Sequence, residues 1–132
     1  MPRKVLLIDD TPEIAELLSF ALRDRGYDVS VSGYDTAINE LVARDAAEAL
    51  ILDCSIFNMS ESLFDAVRDE ERHAELPVVI ISDTLEIAVA SLRKRRARRV
   101  RLVPKPFSGS DVVAALEELF DPGDERAESG RA

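Results

Sequence analysis

Three aspartates, a serine and a lysine close short apolar runs, and they carry the chemistry open to this sequence. Val5-Leu6-Leu7-Ile8 runs into Asp9-Asp10, and Ala49-Leu50-Ile51-Leu52 runs into Asp53. Val78-Val79-Ile80-Ile81 runs into Ser82, and Val100 to Pro104 runs into Lys105-Pro106-Phe107. Carboxylate oxygens of this kind suit Mg²⁺, which takes one or two carboxylates and keeps several waters. A carboxylate can also accept a phosphoryl group as an acyl phosphate once a metal screens the repulsion between two anions. Asp53, at the end of the most apolar run, is the candidate nucleophile. The Lys105 ammonium and the Ser82 hydroxyl are candidate donors to the phosphoryl oxygens. Each residue has a plainer use: an Asp can cap the next helix, Lys105 can balance the acids, and Ser82 can cap a strand end. Those uses explain the residues singly but not their alignment.

The elements that must position these groups follow from hydrophobic pattern. Continuous apolar runs of four to six residues, alternating with amphipathic helical stretches, read as strands of a parallel sheet buried on both faces. The C-terminal strand ends of such a sheet share one edge, where ligands bind. Adjacent strand residues point to opposite faces, so Asp9 and Asp10 reach one ion only where strand gives way to loop.

Thr11 is placed to cap the first helix, with Pro12 at its first position; Ile14, Leu17, Leu18, Ala21 and Leu22 form its predicted buried stripe, and Gly26 ends it. The second strand spans Tyr27 to Ser32, with Val29 and Val31 alternating against polar neighbours. Asp35 is expected to cap a second helix carrying Ile38, Leu41 and Val42, and Ser60 a third near 60–72. Pro77 opens the fourth strand, and Leu85, Ala88, Val89 and Leu92 mark the fourth helix, which no glycine terminates. The last helix, about 109–120, buries Val112, Val113, Leu116, Leu119 and Phe120. Residues 1–120 form the expected domain, and 121–132 a flexible charged tail.

The chain has 132 residues, 46% hydrophobic and 33% charged, with a single cysteine, so a core without disulfides is expected. No run reaches the length of a signal-peptide core or a membrane span, which predicts a cytoplasmic protein with no membrane contact. The net charge of −9 hides a segregation: seven basic residues and no acid lie within 93–101, while the rest carries 10 basic and 26 acidic residues. That stripe suggests a directed contact with an acidic partner or a second subunit, relieving repulsion among like charges. The plainer reading is a solvated face partly neutralised by acids such as Glu117 and Glu118. His73, alone in a charged stretch, reads as solvated. Cys54 reads as a small core residue with its pKa raised by acidic neighbours.

The order Asp9-Asp10, Asp53, Ser82 and Lys105-Pro106-Phe107 resembles the receiver domain of two-component response regulators over roughly residues 3–120. The resemblance implies a flavodoxin-like (βα)5 doubly wound sheet of strand order 2-1-3-4-5. It implies that Asp53 takes a phosphoryl group from a sensor histidine kinase or phosphotransfer protein. Asp10 and Asp53 would ligate Mg²⁺ directly with the Ser55 carbonyl, and Asp9 mainly through water. The usual partner face, made by the fourth helix, fifth strand and fifth helix, would carry part of the basic run. Several positions depart from the family pattern. Cys54 to Glu61 replaces the usual Met-Pro and Gly, Asp83 a small residue, Leu102 the switch aromatic, and Arg98-Arg99 a Gly-Ala pair.

Three alternatives stand beside this reading. A degenerate receiver would bind partners without phosphorylation, but all five chemical positions are filled. A Mg²⁺-dependent phosphatase with an aspartate nucleophile would space its first two acids by one residue and need room for a cap. Nucleic-acid binding through the arginines conflicts with the acidic body and the lack of a reading motif. The expectation is therefore a phosphoacceptor and not an enzyme.

Overall fold

In the computed structural model, which describes residues 2–121, five parallel strands form one sheet of order β2-β1-β3-β4-β5. The strands are β1 (Lys4–Asp9), β2 (Asp28–Ser32), β3 (Ala49–Asp53), β4 (Val78–Ser82) and β5 (Val100–Pro104). The helices are α1 (Pro12–Asp24), α2 (Ile38–Asp45), α3 (Phe57–Asp69), α4 (Leu85–Lys94) and α5 (Gly109–Phe120), with a 3₁₀ turn at Glu71–His73. The flavodoxin-like order expected from the sequence is therefore present. The expected tail beyond Asp121 lies outside the described residues.

Strand parity divides the core. Val5, Leu7, Ala49, Ile51, Val79 and Ile81 pack with α1 and α5, whereas Leu6, Ile8, Leu50, Leu52, Val78 and Ile80 pack with α2, α3 and α4. Successive strand residues face opposite ways, so apolar runs with no polar alternate are what a sheet covered on both sides requires. At roughly 25 cal/mol per Å² of apolar surface, this burial is the main force holding the strand ends in line.

Several boundaries and faces differ from the sequence pattern. α2 starts at Ile38, because the Asp35 carboxylate accepts a hydrogen bond from Ala37 N (2.9 Å) and closes a turn before the helix. α3 starts at Phe57, and Ser60 is buried inside it instead of capping it. On α1 the buried set is Ala15, Leu18, Ser19 and Leu22, leaving Leu17 51% exposed. The face is rotated because α1 packs against both the sheet and α5. Val31 and Leu85 are likewise exposed, lying at the sheet edge and at the first residue of α4.

His73 is buried, not solvated: Asn39 Nδ2 donates to the Ala66 carbonyl (2.9 Å), which turns Asn39 Oδ1 toward His73 Nδ1 at 2.7 Å. Burial lowers the His73 pKa below its ordinary value. Glu117 pairs with Arg25 (3.0 Å), whereas Glu118, the other acid expected beside the basic run, does reach it, at Arg101 (3.6 Å). Among the described residues no helix is long and apolar enough to cross a membrane.

Gly109 opens α5 behind a capping box in which Ser108 and Asp111 exchange side-chain and backbone hydrogen bonds. A Cβ on Gly109 would lie 2.6 Å from Ala21 Cβ, so this glycine sets how closely α1 and α5 approach. Gly109→Ala is expected to cost about 1–3 kcal/mol by forcing the helices apart, and Ala21→Gly in the same chain to recover part of it. Urea unfolding of the three variants measures this; a single variant as stable as wild type would refute the close-packing account.

Candidate phosphoacceptor site

The β1–β3 register places Asp9 directly beside Asp53. Neighbouring strands lie about 4.8 Å apart and paired residues share a face, so the two carboxylates meet at the C-terminal edge. Both are buried, at 6% and 3% exposure. Asp9 Oδ1 accepts from Thr11 N (2.9 Å), the amide that begins the turn into α1. The Asp9 pKa is pushed up to about 7, first by burial and then by Asp53 and Asp10, with the Thr11 bond acting in the opposite direction.

Lys105 answers this charge. Its Nζ lies 2.9 Å from Asp53 Oδ1. The loop that carries it is tied to β4 by Lys105 N donating to the Ser82 carbonyl (2.9 Å), and the Lys105–Pro106 bond is cis. Partial burial disfavours the ammonium, but Asp53, then Asp83 and Asp9, outweigh it and hold the Lys105 pKa above its usual value.

The other predicted residues are arranged less tightly. Asp10 is exposed, and its Oδ2 accepts from the Ser55 hydroxyl (2.5 Å). Ser55 thus meets Asp10 through its side chain, a contact that the expected carbonyl role did not anticipate. The Ser82 hydroxyl accepts from Thr84 N (3.0 Å) and pairs with Thr84 Oγ1 (3.1 Å), so it is engaged with its own loop and not with Asp53. Thr84 is a member of the site that the strand pattern could not show, because it lies beyond the apolar run. Asp83, beside it, adds a fourth acid near the pocket mouth. Cys54 is buried, and burial together with the surrounding carboxylates raises its pKa, as expected.

Among the described residues, no three acidic, His or Cys side chains form a ready-made chelate. Asp53 faces Lys105, Asp10 faces Ser55, and Asp9 Oδ2 is buried with no hydrogen-bond partner. A buried carboxylate oxygen without a donor, beside a second buried carboxylate, fits a hard cation that needs one or two carboxylates and brings its own water. The site can therefore accept Mg²⁺ chemistry.

Comparison with known proteins agrees with this geometry. Residues 5–117 match the response regulator receiver domain, and the chain belongs to that family. It is 31% identical to the probable transcriptional regulatory protein TcrX of Mycobacterium tuberculosis over 122 residues, covering 90% of this chain and 50% of TcrX. It is 32% identical over 127 residues to the nitrogen assimilation regulatory protein NtrX of Azorhizobium caulinodans, covering 92% and 27%. The chain thus spans half or less of these relatives' lengths. Among solved structures, a sensor protein from Polaromonas sp. JS666 matches with a TM-score of 0.78 at 25% identity, over 90% of this chain and 96% of that one. The chemotaxis response regulator CheY4 of Vibrio cholerae matches in fold with a TM-score of 0.74 at 22% identity, over 90% and 99%. The receiver domain of the sensor histidine kinase PA1611 of Pseudomonas aeruginosa, solved with magnesium in its active-site cleft, matches in fold with a TM-score of 0.71 at 19% identity, over 90% and 98%. The chain is a receiver domain of a two-component response regulator, a signalling domain.

The raised Asp9 pKa has a stability consequence. Between pH 4 and 7 the folded protein holds a proton that the unfolded chain has released, so stability falls as pH rises through that window. Asp9→Asn keeps the acceptor for Thr11 N and removes the titration. In buffer free of divalent cations the variant is expected to gain about 2–4 kcal/mol relative to wild type between pH 4.5 and 8. Urea unfolding at those two pH values checks it, and a difference that does not change with pH would overturn the assignment.

Proposed function

We propose that Asp53 is the phosphoacceptor of this receiver domain, taking a phosphoryl group from the phosphohistidine of a sensor histidine kinase or phosphotransfer protein. The observation that carries this reading is the buried Asp53 carboxylate with Lys105 Nζ at 2.9 Å and a second buried carboxylate beside it. Such a group is desolvated enough to be a nucleophile and is charge-balanced at only one oxygen. An Asp53 oxygen forms the new O–P bond as the N–P bond of the donor breaks, and the imidazole leaves with the bonding electron pair. Lys105 balances the charge that gathers on the phosphoryl oxygens, and the Ser82 hydroxyl, released from Thr84, donates to one of them. Asp9, Asp10 and Asp53 would hold Mg²⁺, with Ser55 completing the set. When bound, the ion would screen the repulsion between donor and acceptor. The domain would act in the cytoplasm and pass the signal by changing how its surface binds a downstream protein.

Intact-mass measurement with a small-molecule phosphodonor tests the assignment. Wild type is expected to gain one base-labile, acid-stable phosphoryl group with Mg²⁺ and almost none without it. Asp53→Ala is expected to gain none, and equal labelling of that variant would sink the proposal.

The lifetime of the product follows from what surrounds it. Ser55 and Thr84, two residues beyond Asp53 and Ser82, are hydroxyls held by Asp10 and Ser82. Neither is a base at neutral pH, so neither activates the water that would cleave the acyl phosphate. A persistent phosphoryl group is expected, and Ser55→Asn with Thr84→Glu should change its decay rate several-fold. An unchanged rate in the double variant would show that these positions do not control hydrolysis.

A further inference from the structure

Four of the seven basic residues in 93–101 have partners within the chain. Arg95 grips Asp65 through Nε (2.8 Å) and Nη2 (3.0 Å) and reaches Glu61 at 3.2 Å. Arg99 donates to the Glu75 and Leu119 carbonyls at 3.4 and 3.0 Å. Arg98 and Arg101 lie 3.6 Å from Glu75 and Glu118. The side chains of Arg93, Lys94 and Arg96 are exposed and make no hydrogen bond or ion pair among the described residues.

Arg93 and Lys94 occupy the last turn of α4, where cations favour the helix dipole, so the fold has a use for them. It has none for the Arg96 side chain. This residue follows the helix cap at φ +52°, a left-handed conformation free to glycine and costly to other L-residues. Arg99 also has a positive φ, +58°, but its guanidinium is used internally. At Arg96 that conformation closes the end of α4, with Arg96 N donating to the Arg93 carbonyl and Ala97 N to the Leu92 carbonyl (both 3.0 Å). Glycine would serve there at lower cost, and the Arg96 guanidinium has no partner among the described residues. It stands at the rim of a cleft of about 350 Å³ between the end of α3, the 3₁₀ turn and the α4–β5 loop. The Arg98–Glu75 pair on the cleft wall is 77% and 64% exposed, and such a pair holds weakly enough for an incoming carboxylate to replace Glu75.

We infer that Arg96, with Arg93 and Lys94, anchors a docking site for an acidic protein segment rich in Asp and Glu that crosses the α4–β5 loop. The planar guanidinium fork matches a carboxylate in bidentate fashion. A short acidic segment stays within the patch, whereas a nucleic-acid duplex extends beyond it, and the rest of the chain carries 26 acidic against 10 basic residues, a balance that repels phosphates. The site lies at the N-terminal edge of the sheet, opposite Asp53. Its occupancy is therefore independent of the phosphoacceptor assignment.

Fluorescence anisotropy of a labelled oligoglutamate peptide with the full chain, read at two salt concentrations, tests the site, alongside thermal unfolding. Wild type is expected to bind, more weakly at higher salt. Arg96→Gly is expected to weaken binding about tenfold while raising Tm, because glycine relaxes the left-handed position. Arg93→Ser with Lys94→Ser is expected to weaken binding further, and Asp53→Ala to leave it unchanged. Absence of binding by wild type, equal binding by Arg96→Gly, or tighter binding of duplex DNA at the same salt would each overturn the proposal. A lower Tm for Arg96→Gly would also overturn it, by showing that the fold itself uses the arginine.

Discussion

Two buried carboxylates held side by side are the constraint around which the C-terminal edge is built. In a medium less polar than water, Asp9 and Asp53 cannot both carry full charge without an answering group. The fold supplies three answers of different kinds. The Thr11 amide donates to Asp9, Lys105 is brought to 2.9 Å from Asp53, and the Asp9 pKa rises to about 7. None of the three closes the site, since Asp9 Oδ2 keeps no donor. A site balanced in this way responds strongly to any ion or phosphoryl group that alters its charge.

The loops leaving this edge connect it to the rest of the molecule. α3 begins four residues after Asp53 and α4 three after Ser82. Farther along, the two helices are joined by a network in which Ser91 and Arg95 on the α4 side meet Glu61 and Asp65 on α3. The bidentate Arg95–Asp65 pair is the sort of surface ion pair whose geometry and membership in a network make it contribute measurably. A displacement of either loop therefore acts on both helices. Leu102, half-buried on β5 and packed with this layer, stands where the family usually carries an aromatic.

The basic run shows how tertiary structure redistributes charge that looks uniform in sequence. Seven neighbouring cations suggest mutual repulsion, yet Arg95, Arg98, Arg99 and Arg101 diverge to α3, the turn before β4 and α5. Two of the positions turn the chain through left-handed conformations, Arg96 and Arg99, in place of the missing glycine. The loop thus contains both structural and unpaired arginines, and no count of charges distinguishes them.

The sequence by itself determined the sheet, its order through the family resemblance, and which residues end its strands. An unbroken apolar run has one good solution, a strand covered on both faces, so the polar residue that ends it must lie at the edge. Burial of Cys54 was legible too, because a free cysteine behaves as a small apolar side chain and this one follows directly on the buried strand end at Asp53. Helix starts were less legible: Asp35 and Ser60 have the chemistry of caps, but a turn claimed the first and the core the second. Burial of His73 and exposure of Leu17 were not legible at all. Both depend on which neighbouring element covers a helix or turn, and Asn39 and α5 are distant in sequence. Only tertiary structure decided that Asp9 and Asp53 share a face, that Lys105 reaches Asp53, and that Asp10 and Ser82 are engaged by Ser55 and Thr84. Strand register and loop closure bring these groups together across as many as 96 residues of chain, and no local pattern records that distance.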